Sequence, residues 1–166
     1  MKTLDKRILE TEIRRVLRKK KRTLAVAESC TGGLVSHRIT NVPGSSVYFK
    51  GGVIAYSNEI KTSLLEVPSG TIKKYGAVSR EVVRAMTEGA RRIFKADIAA
   101  GVTGIAGPGG GSPKKPAGLA FICVASNKGA KTRKVFVKGV REAVKFGFSQ
   151  AVLELIREFV VGSSRG

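Results

Sequence analysis

Apolar positions recur along this chain in two rhythms. Across residues 4–20, Ile8, Leu9, Ile13, Val16 and Leu17 return about every 3.6 residues, which predicts an amphipathic helix. Short apolar runs at 23–27, 52–56 and 96–102 predict buried strands. Two more, at 119–125 and 132–138, flank Asn127-Lys128-Gly129 and predict a hairpin. Between the strands the helical rhythm returns. One helix follows the turn at 28–33 and runs to about Thr40. A second is capped by Ser57 or Asn58, with Pro68 beyond its end. A third starts at Ser79, with Val82, Val83, Met86, Ala90, Ile93 and Phe94 on its inner face. The last spans 141–160 with Val144, Phe148, Val152, Leu155 and Ile156 inward. Strands alternating with helices and ending in a hairpin predict an α/β fold. The expected architecture is a three-layer α/β/α sandwich with a mixed, mostly parallel sheet. No composition shift or repeat divides residues 1–166, so one domain is expected. The Gly/Pro-rich stretch 103–117 is read as a loop within it.

Composition narrows the function. The chain has 166 residues, 42% of them apolar, enough for a real core. Residues 1–10 carry acids and lack a continuous apolar stretch, so no signal peptide is expected, and no run approaches a membrane span. The expected location is the cytoplasm, away from membranes. Two cysteines, Cys30 and Cys123, make no disulfide framework, and His37 is the only histidine. A zinc site of the usual kind lacks ligands, so neither metal nor cofactor is expected. A Ser-His-Asp triad would need His37, in a helix-like segment with nothing marking it as a base.

The formal charge of +19 changes the picture of partners. Such a surplus attracts polyanions, so non-specific nucleic-acid binding is one expectation. Arg14, Arg15, Arg18, Lys19, Lys20, Lys21 and Arg22 crowd one stretch. The simpler reading is a solvated helix end, where cations suit the dipole and no stacking aromatics accompany them.

Ligands of open α/β sheets bind beyond the carboxyl ends of strands. Three segments leave predicted strands with hydroxyls or glycines: 28–33, 56–61 and 103–111. Each alone is also what a tight turn or helix cap requires.

Taken in order, these segments resemble the CinA C-terminal domain family. The resemblance is carried by Ala27-Glu28-Ser29-Cys30-Thr31-Gly32-Gly33, Pro43-Gly44-Ser45-Ser46, Gly52-Val53-Ile54-Ala55-Tyr56-Ser57-Asn58-Glu59 with Lys61, and Tyr75-Gly76-Ala77-Val78-Ser79. Thr103-Gly104-Ile105-Ala106-Gly107-Pro108 with Gly110, Gly111 and Pro116-Ala117-Gly118 completes it. The match runs from about residue 5 to 160. The family's fold is a three-layer α/β/α sandwich. Its active members are nicotinamide-nucleotide amidases, so the resemblance implies cleavage of nicotinamide mononucleotide to nicotinate mononucleotide and ammonia. It implies a homo-oligomer such as a dimer. Many relatives carry a further N-terminal domain similar to molybdopterin-binding proteins; this chain is expected to lack that domain's activity.

The resemblance also implies site residues. Ser46 takes the nucleophile position, Tyr56 the relay and Lys61 the base, with Ser45 the competitor for the nucleophile. A serine attacks an amide only when a base accepts its proton, and a lysine serves if burial lowers its pKa. Without the resemblance, Ser46 reads as a helix cap, Tyr56 as a strand-end residue and Lys61 as a solvated lysine. Ser29, Thr31, Gly32 and Gly33 stand at a predicted helix N-terminus suited to an anion, or to ordinary capping. Thr103 and the loop from Gly107 are expected to wall the site, and Arg141 to reach a phosphate. Glu28 has no firm role: it orients Lys61, binds ribose or caps the turn. The alternative function is a non-catalytic, competence-related module that binds nucleic acid.

Overall fold

The computed structural model describes residues 8–162. Five strands form one sheet: β1 (Leu24–Glu28), β2 (Phe49–Ile54), β3 (Ile98–Gly104), β4 (Leu119–Ser126) and β5 (Gly129–Phe136). The helices are α1 (Ile8–Lys19), α2 (Leu34–Thr40), α3 (Asn58–Ser63), α4 (Ser69–Tyr75), α5 (Arg80–Ile93) and α6 (Arg141–Gly162). The strand order is β2-β1-β3-β4-β5. β1 pairs in parallel with both β2 and β3, while β4 runs antiparallel to β3 and to β5. The sheet is therefore mixed, with β4 opposing the other four strands.

Helices cover both faces, as the strand composition requires. All five residues of β1 are buried, the mark of a strand with no solvent face. On one face, Ile13 and Leu17 of α1, Val35 and Ile39 of α2, and Phe148, Val152 and Ile156 of α6 pack on Leu24, Val26 and Ile122. On the other, Val82, Met86 and Ala90 of α5 pack with Leu65 and Val67 on Ala25, Ala27 and Ala99. The three-layer α/β/α reading of the hydrophobic pattern is this architecture. Residues 4–7 of the expected first helix, and residues 163–166 of the tail, lie outside the described part.

Three elements differ from expectation. Pro68 lies past the end of α3, as read in the sequence, but it is also the N-cap of α4, a helix the apolar pattern does not predict, because its fixed backbone suits a helix start. Strand β2 begins at Phe49 rather than Gly52, and it passes through Gly51 and Gly52. The apolar run puts Gly52 at the start of the strand and leaves Gly51 outside it, but a Cβ on Gly51 would stand 2.7 Å from the Phe94 ring, and one on Gly52 would stand 2.7 Å from Ser36 Oγ. They are the close contacts that seat both helical layers on this edge strand. Strand β5 is set by pairing with the whole of β4, so it starts at Gly129. Its exposed positions carry Lys131 and Lys134, which guard an open edge against pairing.

No helix among the described residues is long and apolar enough to cross a membrane. Between the two fields of helices, β1 sends the chain through α2 to β2 on one side, while β3 lies on the other. This is a topological switch, and a crevice opens beyond the carboxyl ends of β1 and β3.

Candidate active site

The turn after β1 builds the floor of that crevice. Glu28, the last residue of β1, is fully buried. Its Oε2 accepts from Thr31 Oγ1 at 2.6 Å, from the Gly33 N–H at 3.0 Å and from the Val35 N–H at 3.1 Å. Its Oε1 accepts from the Ser36 N–H at 2.8 Å and from Ser36 Oγ at 2.7 Å. Glu28 thus saturates the start of α2 with a built-in anion. Of the three roles open to it in the sequence, the structure shows the cap. This also corrects the anion-site reading of Thr31 and Gly33, because their donors already serve Glu28. Gly32 is exposed in the same turn, with φ +61.

Fixed by that clasp, Ser29 faces the crevice. Its N–H donates to Val102 O at 3.1 Å, which ties the turn to the end of β3. Lys61 reaches it from α3. The sequence places Lys61 there because Ser57 caps the helix, its side chain accepting from the Ile60 N–H. Lys61 is only 2% exposed. Its Nζ donates to Ser29 Oγ at 3.1 Å, to Ala55 O at 2.8 Å and to Tyr56 O at 3.4 Å. No carboxylate pairs with it among the described residues. Burial holds its ammonium below the ordinary lysine pKa, opposed in part by the neighbouring Cys30. Burial also pushes the Cys30 thiol up to about 12, so this cysteine is a neutral wall of the crevice rather than a nucleophile.

The crevice encloses about 270 Å³ and is lined by Ser29, Cys30, Tyr56, Lys61, Thr103 and Arg141 with the Gly107 loop. Thr103 is buried and donates to Ala77 O at 2.9 Å, pinning the loop before α5. Arg141, at the start of α6, spans the mouth. Its Nη1 donates to Gly107 O at 2.6 Å and its Nη2 to Tyr56 Oη at 3.1 Å. Six of the expected site residues therefore meet here: Ser29, Tyr56, Lys61, Thr103, Gly107 and Arg141.

Ser46 does not join them. It lies in a single 3₁₀ turn, Ser45–Val47, that precedes β2. Beside that turn, Arg14 Nη1 donates to Pro43 O at 3.1 Å. The length of β2 separates this end of the sheet from the crevice, about 20 Å at the usual strand rise. Within one chain the expected triad of Ser46, Tyr56 and Lys61 is not assembled; Ser45 shares the turn and the same distance. Nor does the Tyr56 hydroxyl stand between lysine and serine. It is engaged by Arg141, and Lys61 meets Tyr56 only through its carbonyl. The direct Lys61–Ser29 contact was missed in the sequence, although a signal existed. Ser29 and Tyr56 follow strands and Thr103 stands at the end of one, whereas Ser46 precedes one.

Chemically, the crevice offers a hydroxyl, an amine biased toward its neutral form and a forked cation. No group of three His, Cys, Asp or Glu side chains converges among the described residues.

Known proteins resemble this chain in sequence and fold. The model of the CinA C-terminal domain family matches residues 6–160. A CinA-like protein of Thermotoga maritima is 45% identical over 157 residues, covering 95% of this chain and 38% of that protein. The chain thus spans well under half of the length of such curated relatives. A crystal structure of a competence-damaged protein (CinA) superfamily protein from Klebsiella pneumoniae superposes with a TM-score of 0.90 at 29% identity, covering 94% of this chain and 98% of that one. The competence/damage inducible protein CihA of Agrobacterium tumefaciens superposes with a TM-score of 0.84 at 33% identity, covering 89% and 93%.

Proposed function

The chain belongs to the CinA C-terminal domain family, and from that premise we propose that it is a nicotinamide-nucleotide amidase using a Ser29–Lys61 pair. One observation carries the reading: a buried lysine amine, with no carboxylate partner among the described residues, stands 3.1 Å from a serine hydroxyl in a crevice. Neutral Lys61 takes the Ser29 proton, and Oγ attacks the carboxamide carbon of nicotinamide mononucleotide. The tetrahedral oxyanion is held by the Cys30 N–H. As it collapses, the C–N bond breaks, the Lys61 ammonium returns its proton to the leaving nitrogen, and ammonia departs. Water, deprotonated by Lys61, then opens the Ser29 ester and releases nicotinate mononucleotide. Tyr56, whose oxygen accepts from Arg141, keeps its own hydrogen for the substrate. No cofactor enters this cycle.

A homo-oligomer belongs to the same proposal. Exposed Ile54, Tyr56, Ile60 and Leu64 lie along the unpaired β2 edge and α3, an apolar face next to the crevice. The nucleic-acid alternative is weakened by how the basic stretch is used. Arg14 donates to Pro43 O, Lys20 to Val160 O and Arg22 to Asp97, so these cations serve the fold.

The test is ammonia release from nicotinamide mononucleotide beside free nicotinamide. Release from the nucleotide and little from the base supports the proposal. No release from either, with salt-sensitive DNA binding instead, overturns it in favour of the alternative.

A further inference from the structure

A second pocket opens at the end of the sheet opposite the crevice. It encloses about 260 Å³ between the last turns of α1 and α6, the start of β3 and the β4–β5 turn. The length of β3 separates it from the crevice, about 20 Å at the usual strand rise. The proposed reaction uses none of it. Its apolar lining is Leu17, Ile98 and Val160, all buried, with Phe159 beside them. Its charged lining is Lys20, Arg22 and Lys128 against one carboxylate, Asp97. That carboxylate is already engaged. Its Oδ2 accepts from the Thr23 N–H and from Thr23 Oγ1, each at 2.8 Å, and its Oδ1 accepts from Arg22 Nη1 at 3.2 Å. The cations keep capacity to spare. Lys20 donates to Val160 O near the carboxyl end of α6, and Arg22 donates to Asp97, which leaves each with further N–H donors. The Lys128 ammonium has neither an acceptor nor a carboxylate among the described residues. A hairpin turn carries it, so compensation of a helix dipole does not account for its charge.

We infer that this pocket binds an amphipathic monocarboxylate, its apolar body on Leu17, Ile98 and Val160 and its carboxylate among Lys20, Arg22 and Lys128. An apolar concavity with a few convergent polar groups is the usual form of a small-molecule site. An inorganic anion would leave the apolar lining wet, and a neutral hydrocarbon would leave the cations unused, so one molecule must carry both features. Asp97 adds a repulsive charge to the lining, which favours a ligand with one negative charge over one with two. Arg22 offers its remaining nitrogens as a fork, while Lys20 and Lys128 act as point charges. The inference is independent of the amidase reading, because this pocket and the crevice share no lining residue.

The test uses octanoate as the probe, with calorimetry on the whole chain at low salt. Acetate, which lacks the tail, and octan-1-ol, which lacks the charge, are measured beside it. The variants are Lys128→Glu, Lys128→Arg and, at the crevice, Arg141→Met, after thermal midpoints show that they fold. Octanoate should bind wild type about tenfold or more tightly than acetate or octan-1-ol does, since each of them supplies only half of the contact. Lys128→Glu should weaken octanoate about fivefold or more, because the attraction of an exposed cation becomes a repulsion. Lys128→Arg keeps the charge and should stay within about twofold of wild type, as should Arg141→Met, which lies at the other end of the sheet. Equal octanoate affinity in wild type and Lys128→Glu overturns the inference, and so does the absence of octanoate binding to wild type at millimolar concentration. Loss of octanoate binding in Arg141→Met, with Lys128→Glu unaffected, places the anion in the crevice and overturns it as well.

Discussion

Lys61 Nζ donates to Ser29 Oγ across 3.1 Å, and two backbone carbonyls complete its set of acceptors. Every proton of the ammonium is therefore placed, yet no carboxylate among the described residues pairs with it. Such a lysine gives up its proton more readily than one in water, which is what a base for serine must do.

The first consequence is a pH dependence. Activity requires neutral Lys61, so kcat/KM rises with pH through the pKa of this amine. Burial lowers that pKa, so the rise is centred below the ordinary lysine value of 10.5. Lys61→Arg keeps the charge and cannot act as a base, so it loses activity by about 10³-fold or more. A pH–rate profile checks both. A rise that survives unchanged in the residual activity of Lys61→Met would assign the titration elsewhere.

Glu28 predicts a link between fold and site. A carboxylate accepts all five hydrogen bonds around it, while an amide must turn two N–H donors toward them. Glu28→Gln should cost about 3 kcal/mol. It should also lower activity, because the turn carrying Ser29 loses its anchor. Chemical denaturation alongside an activity assay measures both, and unchanged values in both would show that the clasp is dispensable.

A buried ion pair holds three helices together. Arg38 Nε donates to Glu10 Oε1 at 2.7 Å, Nη1 to Ser149 Oγ at 3.0 Å and Nη2 to Gln150 Oε1 at 2.8 Å. The Arg38 side chain is 9% exposed and that of Glu10 is 4% exposed. Arg38→Met strands a buried carboxylate and should cost about 3–5 kcal/mol. Adding Glu10→Leu removes the stranded charge, so the double variant should be more stable than Arg38→Met alone. Urea unfolding of the cycle decides; strict additivity would show the pair to be uncoupled.

At the β5 edge, hydrogen bonds from Arg133 and Lys131 hold the Glu158 carboxyl down to about 2 from its ordinary 4.5. The folded-state pKa is the lower one, so the fold gains stability from this group above pH 4.5 and loses it as pH falls toward 2. Glu158→Gln should flatten the acid limb of the stability curve across that window and change little at lower pH. Partial exposure keeps the effect small.

Much of this architecture was legible because local rules coincide with it. Ser57 and Ser79 cap helices in the structure as side-chain chemistry predicts. The buried strands and the inner face of α6 follow the apolar rhythm. What was lost depends on contacts distant in sequence. Gly51 falls outside the apolar run that starts at Gly52, and it is the contacts of Phe94 and Ser36 with the two glycines that show why the strand runs through both. Pro68 looks like a stop until α4 is seen to begin there. The same limit explains the site. Tyr56 and Lys61 share one strand-to-helix turn and are legible together. Which serine faces Lys61 depends on the pairing of β1 beside β2, which no local pattern encodes.

The central claim is that Ser29 is the hydroxyl Lys61 activates, and it is tested most directly by ammonia release from nicotinamide mononucleotide in Ser29→Ala and Ser46→Ala measured side by side. Ser29→Ala should lose activity by about 10⁴-fold or more while Ser46→Ala stays within about threefold of wild type. The reverse pattern, with Ser46→Ala inactive and Ser29→Ala working, would contradict it.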